Sequence, residues 1–119
     1  MKRDMDLVRK ILRSVDVNED EGAISGMQID GYSHEEIAYH VMLLKEANII
    51  RANIVCAEGS KIPEGYAIYS ITREGYAFLD AFSNERRWKK AQSLIGDIGD
   101  APLHLVIPLF MELITARII

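Results

Sequence analysis

The sequence predicts an α+β fold in which helices pack on a two- or three-stranded antiparallel sheet. Three observations lead there. An apolar stripe at helical spacing ends in Leu43-Leu44-Lys45-Glu46-Ala47-Asn48. β-Branched residues then cluster on both sides of a turn rich in Gly and Pro, and Ile71-Thr72-Arg73-Glu74-Gly75 opens another helix. With 119 residues, 49% of them hydrophobic and 27% charged, the chain is long enough for one domain with its own core.

The elements follow in order. Asp4 to Val15 is an amphipathic helix capped by Asp4, with Met5, Val8, Ile11, Leu12 and Val15 on one face. Arg9, Lys10 and Arg13 lie off that stripe and are expected in solvent. Asp16 to Asp20 reads as an acidic loop, and Gly22 to Asp30 as a short strand or irregular extended segment, since its glycines disfavour helix. Ser33 and Glu36 form a capping box for a helix that buries Ile37, Val41 and Leu44 and stops at Asn48. Ile49 to Ala57 and Tyr66 to Ile71 are strands around a turn at Glu58 to Gly65. Thr72 caps a helix whose seam is Tyr76, Phe78, Leu79 and Phe82. Asn84 starts a helix to Ile95 with Trp88, Ala91 and Ile95 inward and Gly96 as its stop. Asp100 and Pro102 begin a last helix to about Arg117, which Pro108 should kink or break.

A capped helix, a two-stranded wing and a helix opened by Thr-x-x-Gly is the order of a winged helix. Residues 1–83 read as that domain, and residues 84–119 as a helical extension packed on it that is also a candidate dimer interface. Winged-helix regulators place a short second helix before the recognition helix, where this chain has Gly22 to Gly31 instead. That departure puts a standard DNA-docking geometry in doubt.

Scattered motifs carry a family resemblance: Met1-Lys2-Arg3-Asp4-Met5-Asp6-Leu7-Val8-Arg9, Gly31-Tyr32-Ser33, Tyr39-His40-Val41-Met42-Leu43-Leu44, Ile71-Thr72-Arg73-Glu74-Gly75 and Trp88-Lys89-Lys90-Ala91. In these the chain resembles the bacterial and prophage family called domain of unknown function 2513. The resemblance implies a small winged-helix-like protein and supplies no activity or site residues.

The formal net charge of −4 argues mildly against a dedicated nucleic-acid binder. A lone Cys56 cannot close an internal disulfide, which fits a reducing cytosol; with no apolar leader visible, a cytoplasmic location is expected. The most apolar run, Leu103 to Leu113, falls short of the roughly 20 residues of a membrane span, so no membrane partner is expected. No metal or cofactor is expected either. His34-Glu35-Glu36-Ile37-Ala38 lacks the second His of a zinc-protease motif, His34 and His40 are not at one-face spacing, and His104 stands alone. Cys56, on a strand without basic neighbours, reads as an inert buried thiol. With no nucleophile, base and orienting group together, the chain reads as a non-enzyme.

Two functions follow. The leading expectation, on fold analogy, is a dimeric, prophage-type transcriptional regulator that binds DNA. Its phosphate contacts would come from Arg9, Lys10 and Arg13 on the first helix and Arg86, Arg87, Lys89 and Lys90 on the fourth, if those helices are adjacent. The alternative is a protein-interaction or dimerisation module that does not bind DNA. It would use Tyr39 and Leu43 with Leu103, Ile107, Phe110, Met111 and Ile114 of the last helix, which otherwise pack across the chain's own core. Charge favours the alternative. The first turn of the helix in the reading position is Ser33, His34, Glu35 and Glu36, and its exposed face continues with Tyr39, Met42, Leu43 and Glu46, where DNA readers place Arg, Lys, Asn or Gln; the wing tip is slightly acidic.

Overall fold

The computed structural model describes residues 1–18 and 21–119, so Glu19 and Asp20 of the expected acidic loop lie outside the described residues. The chain order is α1 (Met5–Val17), α2 (His34–Glu46), β1 (Ile50–Cys56), β2 (Pro63–Ile71), α3 (Arg73–Ala81), α4 (Glu85–Ile95) and α5 (Leu103–Thr115). The fold is α+β.

Local chemistry sets the helix ends. Asp4 caps α1 by accepting from the backbone of Asp6 and Leu7. The Ser33–Glu36 capping box is complete at α2. At the other end of α2, Asn48 takes φ +59°, and the N–H groups of Ile49 and Asn48 return to the carbonyls of Leu44 and Lys45 at 2.9 and 3.0 Å. That Schellman geometry turns the chain straight into β1.

β1 and β2 pair antiparallel, with Ile50 opposite Ile71 and Ile54 opposite Tyr66, and with irregular register after Arg51 and Val55. The extended segment expected over Gly22 to Asp30 reduces to one bridge, in which Ile24 and Ile68 exchange both backbone hydrogen bonds at 2.9 Å. Gly22 and Gly31 adopt φ of +81° and +88°, which bends the segment away from the sheet on either side of that bridge. The turn is narrower than expected because β2 already begins at Pro63.

Two other expectations about α5 are corrected. The helix runs unbroken through Pro108. Pro108 lies on the exposed face, so the carbonyl it leaves unpaired in the preceding turn can be hydrated. The helix begins at Leu103 rather than at Asp100, with Pro102 in the N-cap position and no side-chain cap.

One core joins all these elements. α1 contributes Leu7, Val8, Ile11, Leu12 and Val15; α2 contributes Ile37, Ala38, Val41 and Leu44; the hairpin contributes Ile50, Ala52, Tyr66, Ile68 and Ile71. Four fully or nearly fully buried rings tie in the C-terminal helices: Phe78, Phe82, Trp88 and Phe110, whose centroids lie between 5.1 Å (Trp88–Phe110) and 6.1 Å (Phe78–Phe110) apart. Mostly edge-on, such contacts add to the burial of the rings themselves.

Candidate functional site

Three surfaces of the molecule come into question, and they differ in charge. The first is the seam between α1 and α4, which are adjacent. Trp88 Nε1 donates to Asp6 Oδ1 at 2.7 Å, and Arg9 Nη1 donates to Glu85 at 2.8 Å. Arg9 is not in solvent, contrary to the sequence expectation. It is only 4% exposed, its Nε donates to the Phe82 carbonyl at 2.9 Å, its Nη2 donates to the Ser83 carbonyl at 3.2 Å, and its guanidinium lies 5.8 Å from the Trp88 ring. The reason is that the α3–α4 turn presents free carbonyls directly opposite it, and a guanidinium has the donors to satisfy them. Arg9 is thus a clamp between helices, removed from the set of free phosphate contacts.

The other cations are exposed. Lys10 sits over the Tyr32 ring at 5.4 Å, and Arg87 donates to the Ala81 carbonyl at 3.2 Å. Glu85 is held below the usual carboxylate range, first by the Arg9 hydrogen bond and then by the charges of Arg9, Lys89 and Arg13. Arg13 and Lys89 therefore share one neighbourhood across the α1–α4 seam, whereas Arg86 and Lys90 are simply exposed on α4.

The second surface joins α2 to the hairpin. His34 Nε2 lies 2.8 Å from the Glu64 carbonyl, and its ring stacks 6.1 Å from Tyr66. Beside this junction lies a cleft of about 210 Å³ lined by Met1, Glu35, Tyr39, Met42, Lys61, Ile62 and Pro63. Its wall is mostly apolar. Ile62 is 69% exposed, and Tyr39 and Met42 are half-buried. Leu43, the other predicted contact on α2, is also half-buried and packs against the core.

The third surface is α5, where the chain's own core takes part of the predicted interface. Leu103, Ile107 and Phe110 are buried in the chain's own core, and Met111 and Ile114 pack half-buried against it. The side left exposed is the opposite one, carrying His104, Leu105, Pro108, Leu109 and Glu112.

A polar junction where α1 meets α2 was not foreseen from residue spacing. Asp4 Oδ2 accepts from the Tyr32 hydroxyl at 2.9 Å, and the Asp4 backbone N–H donates to His40 Nε2 at 2.8 Å. His40 Nδ1, 2.7 Å from the Glu36 carbonyl, must then carry the proton and donate. Burial lowers the His40 pKa from its ordinary value, and burial with the Asp4 hydrogen bond pushes Tyr32 up to about 12. These groups satisfy one another and hold two helix N-termini together. Also unforeseen is the outer face of the hairpin, where Arg51 bonds Ser70 at 3.3 Å and Asn53 bonds the Tyr69 hydroxyl at 2.9 Å. Alternation along β1 was the available signal for it.

Cys56 is exposed rather than buried, because β1 runs past the core at the hairpin tip. Among the described residues no group of three or more His, Cys, Asp or Glu is placed to hold a metal ion, and no helix is long and apolar enough to cross a membrane.

The fold and these surfaces define an α+β domain with a helix–hairpin–helix centre and a helical C-terminal layer. The chain belongs to the family described as Hypothetical protein (DUF2513), whose model matches residues 2–100 and so ends just before α5. It is 30% identical over 97 residues to an uncharacterized protein of Haemophilus influenzae, an alignment covering 80% of this chain and 79% of that protein. No solved structure matches it.

Proposed function

We propose that the chain is a winged-helix module that engages another protein through α2 and the hairpin tip, and that α2 does not read DNA. The apolar cleft between Tyr39, Met42, Ile62 and Pro63 carries this reading. In a winged helix, the helix in the place of α2 enters the major groove and must offer donors and cations to bases and phosphates. Here its outer face offers His34, Glu35, Tyr39, Met42, Lys45 and Glu46, a single lysine against two carboxylates. Two carboxylates repel phosphate. A thioether and a ring beside an exposed isoleucine instead suit an apolar side chain, since methionine adapts its shape to what it meets. Glu35 on the rim favours a partner with a basic residue beside its apolar anchor.

A second reading, DNA binding by a regulator, has one observation in its favour. The α1–α4 packing gathers Arg13 and Lys89 around Glu85, with Arg86 and Lys90 also exposed on α4. Two measurements on the full chain separate the readings. In the first, a generic DNA duplex is titrated at low and moderate salt. No binding at low salt supports the protein reading, whereas binding that weakens with salt and is lost in Lys89→Glu overturns it in favour of DNA. In the second, proteins are captured from a lysate of the source organism with the native chain, with Met42→Glu and with Lys89→Glu. A partner lost only with Met42→Glu supports the cleft. Capture indifferent to Met42→Glu refutes it.

A further inference from the structure

We propose that the outer face of α5 seats a second copy of this chain, in an antiparallel two-fold pairing centred on Pro108. This uses a different face from the α2 cleft and holds whichever ligand that cleft takes. A two-fold axis brings each surface against itself, so a face of one charge sign opposes its own association. The outward residues of α4 are Arg86, Arg87, Lys89 and Lys90 against one carboxylate, Glu85, so that face would repel its copy, while α2 carries Glu35 and Glu46 against one lysine, Lys45, and is still net negative. The outer face of α5 escapes this. Leu105 and Leu109 are 56% and 48% exposed, Pro108 lies between them, and the face carries one histidine and one carboxylate.

The positions of those two polar residues select the partner and its direction. His104 lies in the first turn of α5 and Glu112 in the third, roughly 12 Å apart along the axis at 1.5 Å per residue. Pro108 is midway between them. An antiparallel copy crossing at Pro108 therefore sets His104 against Glu112 of the partner subunit, and the two-fold axis makes the contact twice. Leu105 and Leu109, at i, i+4 spacing, form the ridge that packs against the same ridge of the copy. A parallel pairing would instead set Glu112 against Glu112 of the partner subunit, which the like charges oppose. The α5 residues that the sequence suggested for dimerisation face the other way, toward the chain's own core.

Sedimentation velocity on the full chain over a wide concentration range tests the proposal. The expected result is a monomer–dimer equilibrium without larger species, because a two-fold pairing closes on itself. Leu109→Lys is expected to give a monomer with an unchanged circular dichroism melt, as the residue touches solvent in the single chain. Glu112→Lys and His104→Glu should each weaken the dimer at least roughly tenfold by placing like or unmatched charges in contact, and the double variant should regain most of the loss. A native chain that is monomeric throughout overturns the proposal. So does a dimer untouched by Leu109→Lys, or a double variant no better than the single ones, since only the antiparallel register predicts that rescue.

Discussion

Replacing Gly75 by alanine should destabilise the protein, although the same exchange strengthens an ordinary helix. Gly75 lies in the first turn of α3, where Thr72 Oγ1 accepts from its N–H at 3.2 Å and in turn donates to the carbonyls of Asn48 and Ile49 at 2.8 and 2.9 Å. The Thr-x-x-Gly sequence thus seats α3 directly on the chain that leaves α2. A Cβ on Gly75 would meet the Ile49 carbonyl oxygen inside van der Waals contact, Ile71 Cγ2 at 2.5 Å and Ile49 Cγ2 at 3.1 Å. Two of these obstacles are β-branched side chains in the core and one is backbone, so none can swing aside alone. Helix propensity favours alanine by about 1 kcal/mol, while forcing an extra methyl into a packed site costs roughly 1–3 kcal/mol and more where backbone must move. With the Thr72 bonds also strained, the net expectation is a loss of about 2 kcal/mol, read as a lower urea midpoint at unchanged slope. Gly26→Ala is the control. Its Cβ would meet nothing within 4 Å, and its φ is not in the left-handed region, so a change between zero and a gain of about 1 kcal/mol is expected. A Gly75→Ala protein as stable as the native chain would refute this account of the junction.

Arg9→Met keeps the length of the stem but leaves the Phe82 carbonyl without its buried donor, and should cost about 1–3 kcal/mol by urea unfolding. Arg9→Lys should recover only part of this, since one ammonium cannot reach three acceptors in a fork, and full recovery would contradict the clamp. His40 carries a depressed pKa in the folded chain, so the unfolded chain binds the extra proton first: its contribution to stability is complete above about 6.5 and is lost as pH falls from there through the folded value. The stability difference between the native chain and His40→Gln, measured by urea unfolding across that range, should shrink as pH falls, and a pH-independent difference would show that His40 does not titrate between the two states.

What the sequence revealed was what short-range chemistry decides. Ser33 and Glu36 are three residues apart, and each completes the other's bonds without help from the rest of the chain. Asn48 ends α2 for a reason equally local. Arg9 was misread because its partners, Phe82 and Glu85, lie 73 and 76 residues away, and an arginine off the apolar stripe reads as solvated until a distant turn arrives over it. α5 was half legible. A helix apolar over most of its circumference announces burial but not which side the core takes, and the core took Leu103, Ile107 and Phe110, the residues offered for a partner. Cys56 was misplaced because apolar composition predicts a strand's burial only as far as the core extends beneath it, and β1 runs on to the hairpin tip.

The fate of Arg9 also bears on how strongly this protein could hold DNA. Seven cations on α1 and α4 were candidates: Arg9, Lys10, Arg13, Arg86, Arg87, Lys89 and Lys90. Arg9 is committed to buried carbonyls, Lys10 lies over Tyr32, and Arg87 is bonded to the Ala81 carbonyl. Lys10 and Arg87 stay exposed and keep their charge, so six of the seven remain, with the ionised Glu85 beside Arg13 and Lys89. At about 0.9 counterions released per neutralised phosphate, six contacts give a slope of log affinity against log salt of roughly −5, and Glu85 makes it shallower. A steeper slope would require cations from elsewhere on the molecule, and the α2 face has little to add, since its one lysine, Lys45, is outnumbered there by Glu35 and Glu46. The same clamp that makes α1 and α4 neighbours therefore consumes part of the charge that their closeness was expected to concentrate, and it leaves the apolar cleft beside α2 as the surface with the clearer chemistry.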